Sequence, residues 1–119
     1  MVFTKKLCYT DSKGTFEPIN KEDIPMQLTV RQPSASEDAK HYTTERLRGE
    51  YLIETVFAPD DAILTYSHFD RIIAGGVMPV SKSVELVGCK ELASDTFLQR
   101  REMGVINIGG KGKIAVDGV

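Results

Sequence analysis

Tryptophan is absent from the 119 residues, and cysteine and histidine occur twice each, as Cys8 and Cys89 and as His41 and His68. Neither cysteine belongs to a Cys-x-x-Cys pair, which excludes zinc-ribbon and thioredoxin-like chemistry and leaves two reduced thiols as the expectation. The histidines form no His-x-His or His-x-x-x-His pair, whereas a zinc site needs several His, Cys or carboxylate donors held together. On that ground no metal ligand and no catalytic residue is assigned at any position, and the substrate-binding residues stay open. A basic excess is also missing. Lysine and arginine number 15 against 17 aspartates and glutamates, a formal net charge of -2, with a pI of about 5.7. Without a positive stripe to neutralise phosphates, nucleic acid is not an expected partner. Long apolar runs are lacking too: each is broken by charge well short of the ~20 residues a membrane-spanning helix needs, so no membrane contact is expected. Finally, no apolar stretch of roughly 7 to 15 residues follows Lys5 and Lys6, and no small-residue cleavage site appears, so the expected location is cytoplasmic.

What is present is ordinary for a globular chain. Hydrophobic residues make up 41% and charged residues 27%, close to the averages of soluble domains, and the length suits one domain. Residues 1–30 show no sustained period and read as an amino-terminal arm or extension. Behind Pro33, Ser34 and Glu37 have the spacing of a capping box, which predicts a short helix over residues 35–41. A second helical turn is expected over Glu45–Arg48, capped by Thr44 and ended by Gly49. From Tyr51 the pattern changes. Extended runs are predicted at Tyr51–Phe57, at residues 62–69, at Arg71–Val80 with Gly75 and Gly76 inside it, and at Val84–Val87. Shorter ones follow at Phe97–Leu98, Gly104–Ile108 and Lys113–Val116. Within residues 62–69, Ile63, Thr65, Ser67 and Phe69 fall on one face, and Leu64, Tyr66 and His68 on the other. The paired glycines read as a bulge or a close approach rather than a ligand loop. The class is therefore all-β, a sandwich or barrel with one or two short helices before it.

Few residues suggest chemistry. His41 is expected at the exposed end of the first helix, and His68 as a partly buried structural histidine beside Tyr66. Arg100, Arg101 and Glu102 form the densest charge group in the strand region. Neighbours on a strand face opposite sides, so at most one arginine is expected to point into a cavity. A structural ion pair is the plain reading of this group, and a carboxylate-binding arginine the sharper one, because its fork suits acidic substrates. Gly104–Lys113 lacks phosphate-loop spacing and leads into a strand rather than a helix. Ser67 and His68 are adjacent, point apart and cannot form a nucleophile pair. Asp117 and Gly118 signal a tight hairpin turn with only Val119 behind it. From that, the chain is expected to stop inside a hairpin and to leave Lys113–Val116 as an open edge.

Three long blocks carry a resemblance: Leu47–Phe57 (LRGEYLIETVF), Tyr66–Pro79 (YSHFDRIIAGGVMP) and Phe97–Gly110 (FLQRREMGVINIGG), closing on Val116, Asp117 and Gly118. From about Arg31 to Val119 the chain resembles the amino-terminal part of the 5-keto-4-deoxyuronate isomerases, the 4-deoxy-L-threo-5-hexosulose-uronate ketol-isomerases. Residues 1–30 have no counterpart in that resemblance. It implies a cupin-like β-sandwich or jelly roll, truncated at its carboxy-terminal end. It also implies a homohexameric, zinc-dependent enzyme that interconverts 5-dehydro-4-deoxy-D-glucuronate and 3-deoxy-D-glycero-2,5-hexodiulosonate in pectin and uronate catabolism. The zinc ligands it implies, three histidines and a glutamate, lie in the carboxy-terminal half, so no zinc is expected in this chain and the 119 residues alone are expected to be inactive. The alternative is a non-catalytic β-sandwich that serves sugar-acid binding or oligomerisation.

Overall fold

The computed structural model describes residues 7–10 and 26–119. Expectations for the Cys8 thiol and for most of the arm over residues 1–30 lie outside the described residues. The described chain is mainly β: two three-stranded sheets with two short helices between the second and third strands. No helix among the described residues is long and apolar enough to cross a membrane.

The first sheet is built, in this order, from β2 (Met26–Arg31), β3 (Ala62–Ser67) and β4 (Ile72–Val77). Strand β2 turns Met26, Leu28 and Val30 toward the core and leaves Gln27 and Thr29 exposed. That period of two is present in the sequence, inside the stretch read as having none. Strand β3 pairs in parallel with β2, Met26 opposite Ala62 through Arg31 opposite Ser67. Its other neighbour, β4, runs antiparallel, with Ser67 opposite Ile72 and Ala62 opposite Val77. Parallel neighbours need a long crossover, and here it carries α1 (Ser36–Ala39) and α2 (Thr44–Tyr51), neither of which buries a residue. Arg31 ties the crossover down: its Nη1 donates to the Glu50 carbonyl at 3.4 Å and its Nη2 to the Leu52 carbonyl at 2.6 Å.

In the second sheet β1 (Leu7–Thr10) lies between β5 (Val84–Leu86) and β6 (Lys113–Val116), antiparallel to both. Between β4 and β6 the only helical segment among the described residues is one 3-10 turn, Lys90–Leu92. The core joins the two sheets. Ala62, Leu64 and Tyr66 of β3 pack with Val84 and Leu86 of β5 and with Leu92 and Phe97. The Asp-Gly turn forms as predicted. Asp117 and Gly118 have φ of 55° and 82°, and Val116 and Val119 exchange backbone hydrogen bonds of 3.0 and 3.1 Å, the primed geometry that matches strand twist.

Several local readings are corrected. The cap of α1 is Ala35, with no side-chain hydrogen bond, rather than Ser34. The cap of α2 is Thr43, whose Oγ1 accepts from the Arg46 N–H at 3.3 Å. Gly49 lies inside that helix, not beyond its end. Residues 52–58 form no strand, although Tyr51–Phe57 is rich in strand formers. The segment instead packs its side chains against β4: a Cβ on Gly76 would come within 2.3 Å of the Phe57 ring. Among the described residues backbone pairing there is confined to one bridge, Pro59 with Met78, and proline has no N–H to continue a ladder. Phe97 is buried from within a turn and needs no strand. Gly104–Ile108 has no regular structure, and Ile106 and Ile108 are 87% and 74% exposed. A strand needs a partner ladder, and none meets this segment among the described residues.

Candidate functional site

The alternation of β3 places Tyr66 on its core face, two residues beyond Leu64. His68 follows just past the strand end, half-buried, with its ring centroid 4.5 Å from that of Tyr66 and its N–H donating to the Arg31 carbonyl at 2.9 Å. It is the structural histidine the sequence suggests. The chain then reverses through residues 68–71, with Arg71 in the left-handed region at φ 52°. That turn presents the Arg71 carbonyl to a residue thirty positions later: Arg101 Nη1 donates to it at 3.2 Å. The same guanidinium lies 4.6 Å from the centre of the Tyr66 ring, within the ~6 Å range of a cation-π contact.

Tyr66, Arg71 and Arg101 line a cleft of about 1580 Å³ bounded by β4, the inner faces of β3 and β5, and residues 97–111. It is wider than the roughly 300–1,000 Å³ of ordinary small-molecule pockets. Its lining is mostly apolar, but the charged residues on it are of one dominant sign. Arg71, Arg100, Arg101 and Lys111 face it with a single carboxylate, Glu102. A chain of net charge -2 has thus gathered cations around this cleft. The reading that one arginine at most would point inward does not hold. Residues 97–100 form turns and 101–108 are irregular, so strand alternation does not govern them, and both Arg100 and Arg101 line the cleft. The expected ion pair is also replaced: among the described residues Arg101 is held by a carbonyl and a ring, not by a carboxylate.

Other polar groups serve the scaffold. The Asp60 carboxylate accepts from the Ser81 hydroxyl and from the N–H groups of Val80, Ser81 and Lys82, the last three at 2.6, 2.7 and 3.2 Å. These bonds, the Ser81 hydroxyl first, hold its carboxyl well below the usual carboxylate range. Its lone pairs are spent on the loop that follows β4. Burial pushes the Cys89 thiol up, so it is a poor nucleophile. His41 is exposed beyond α1, with its backbone N–H donating to the Asp38 carbonyl at 3.0 Å. Among the described residues no group of three or more His, Cys, Asp or Glu comes together to hold a metal ion. Sequence reasoning named Arg101 but missed Tyr66, Arg71 and Lys111 as its surroundings. The available signal was Tyr66 on the apolar face of an alternating strand.

Comparison with known proteins gives this arrangement a context. No family profile matches the chain. A 4-deoxy-L-threo-5-hexosulose-uronate ketol-isomerase of Lachnoclostridium phytofermentans is 50% identical over 91 residues, which are 76% of this chain and 33% of that protein. A second, from Enterococcus faecalis, is 52% identical over the same shares, and one from Yersinia pestis is 55% identical over 94 residues, 34% of its length. This chain is a homologue of the uronate ketol-isomerases. It spans about a third of the length of the curated relatives it matches. The resemblance drawn from the blocks at Leu47, Tyr66 and Phe97 is therefore a real relationship, and the cation-lined cleft lies within the part of the chain those blocks define.

Proposed function

We propose that the chain forms the amino-terminal part of a cupin-type, cytoplasmic, homohexameric uronate ketol-isomerase. The reaction is the interconversion of 5-dehydro-4-deoxy-D-glucuronate and 3-deoxy-D-glycero-2,5-hexodiulosonate, a step of pectin and uronate catabolism. The observation that carries this reading is identity of 50% to 55% with proteins named for that activity over about three quarters of the chain. The cleft supports it independently, because a sugar acid is an anion and four cations line the hollow. An aldose–ketose exchange moves a proton between adjacent carbons as the carbonyl changes place. Zinc in the complete enzyme would supply Lewis acidity for that shift. The described residues do not fit a zinc site, so on this reading its ligands belong to the rest of the enzyme. This chain supplies scaffold and charge.

A chimera tests the proposal. The matched residues of this chain replace their counterparts in the Enterococcus faecalis relative, and turnover of 5-dehydro-4-deoxy-D-glucuronate is followed by NMR. Activity within about tenfold of the parent, a loss below about 1.4 kcal/mol, is the expected result. A folded, zinc-loaded but inactive chimera would instead support the non-catalytic scaffold. The 119-residue chain by itself is expected to show no turnover.

A further inference from the structure

We propose that Arg101 is the residue of this cleft that recognises the carboxylate of a sugar acid, with the Tyr66 ring and the Arg71 carbonyl fixing its guanidinium in place. The inference deepens the proposed function and rests on its reading of the substrate as a uronate.

Three observations converge on Arg101 rather than on its neighbours. It is half-buried on the cleft wall, where a cation loses part of its hydration, and among the described residues no carboxylate compensates it. An anionic ligand would supply the counter-ion that the described residues do not. Its orientation is already set. One N–H of the guanidinium is engaged by Arg71 and its face lies over Tyr66, while a guanidinium carries five donors. Among the described residues the remaining donors make no other hydrogen bond and can form the planar, two-pronged contact that suits a carboxylate. Because the side chain is held before the ligand arrives, little rotamer entropy is lost on binding. Arg100 has no such support: it is exposed, and among the described residues its side chain makes no hydrogen bond, ion pair or ring contact that would fix it. Arg71 contributes its backbone carbonyl to the arrangement, and Lys111 lies on an irregular, exposed segment. Both add to the positive field without a fixed fork.

The test uses the full 119-residue chain, titrated with D-glucuronate and, separately, with uncharged D-glucose, and followed by amide and side-chain NMR. Glucuronate is expected to shift the signals of Tyr66, Arg71 and Ile72 saturably, and glucose at the same concentration to leave them unmoved. Arg101→Gln is expected to weaken glucuronate binding by about tenfold or more, the loss of a charge-assisted contact. Arg101→Lys keeps the charge but not the fork and should recover only part of the affinity. Arg100→Gln should change it by less than about threefold, as an exposed charge does. Equal response to both sugars, no response to glucuronate, or equal losses in the Arg100 and Arg101 variants would overturn the proposal. Should Arg101→Gln disturb folding, the same substitution in the chimera gives a second reading: KM raised at least about tenfold with kcat nearly kept supports the proposal, and unchanged KM refutes it. The two ideas fail separately. An inactive chimera alongside selective glucuronate binding removes the family activity and leaves Arg101, whereas an active chimera indifferent to Arg101→Gln does the reverse.

Discussion

Gly75→Ala adds one methyl group at a place where β3 leaves no room for it. A Cβ at Gly75 falls 2.0 Å from the carbonyl oxygen of Ile63 and 2.8 Å from Leu64 Cα. Carbon and carbonyl oxygen rest no closer than about 3.3 Å, so β3 and β4 must part locally by about 1 Å. Backbone hydrogen bonds of about 2.9 Å do not survive such a stretch. Losing about two of them at ~1 kcal/mol each, with at least ~1 kcal/mol of remaining overpacking, gives a destabilisation of about 3 kcal/mol. Gly49→Ala is the matched control. It sits inside α2, where no described residue comes within 4 Å of the added carbon, and there alanine favours the helix by roughly 0.5–1 kcal/mol. Urea unfolding followed by circular dichroism reads both. With a slope of about 1–3 kcal/mol/M, Gly75→Ala should lower the midpoint by about 1 M or more and Gly49→Ala should leave it unchanged or higher. Equal shifts for the two alanines, or an unmoved Gly75→Ala, would refute the steric argument.

Two further perturbations separate local from global stability. Arg31→Met removes the donors that hold the Glu50 and Leu52 carbonyls. Amide exchange at the end of α2 should therefore quicken about tenfold or more, the loss of two bonds from a charged donor, while the β3 amides keep their protection; uniform change across both elements would argue against the tie. Asp60 tests pH. Its folded-state pKa is depressed, so its contribution is present above the unfolded-state value near pH 4 and is lost as pH falls through the folded-state value. Asp60→Asn should unfold at lower urea than the parent at pH 7, with the gap narrowing as pH drops from about 4 toward 2. Parallel midpoints across that range would show that the Asp60 carboxylate does not anchor the Val80–Lys82 loop.

What the sequence revealed and what it hid follow from how far apart the cooperating residues lie. Asp117 and Gly118 specify their turn by themselves, since both can take positive φ, and Gly75 with Gly76 announced a close approach. The strand pattern of residues 62–67 was readable because its two faces differ. Strand β2 was missed although Met26, Leu28 and Val30 alternate, because its value comes from a parallel partner across the α1–α2 crossover. Tyr51–Phe57 misled for the opposite reason: strand-forming side chains occur where Pro59 denies the ladder and Gly76 offers a seat for the Phe57 ring. At the cleft the same rule has a functional consequence. Net charge is a property of composition, but an anion responds to the charges that face one hollow. A chain with more acids than bases can therefore build a cation-lined cleft by drawing Arg71 and Arg100 from turns and Arg101 and Lys111 from irregular chain. No window of sequence contains that juxtaposition. The Tyr66 ring and the Arg71 carbonyl that convert Arg101 from a surface charge into an oriented donor come from about thirty residues upstream, so its preference for a carboxylate is a property of the fold, carried by a side chain that in sequence is one arginine among others.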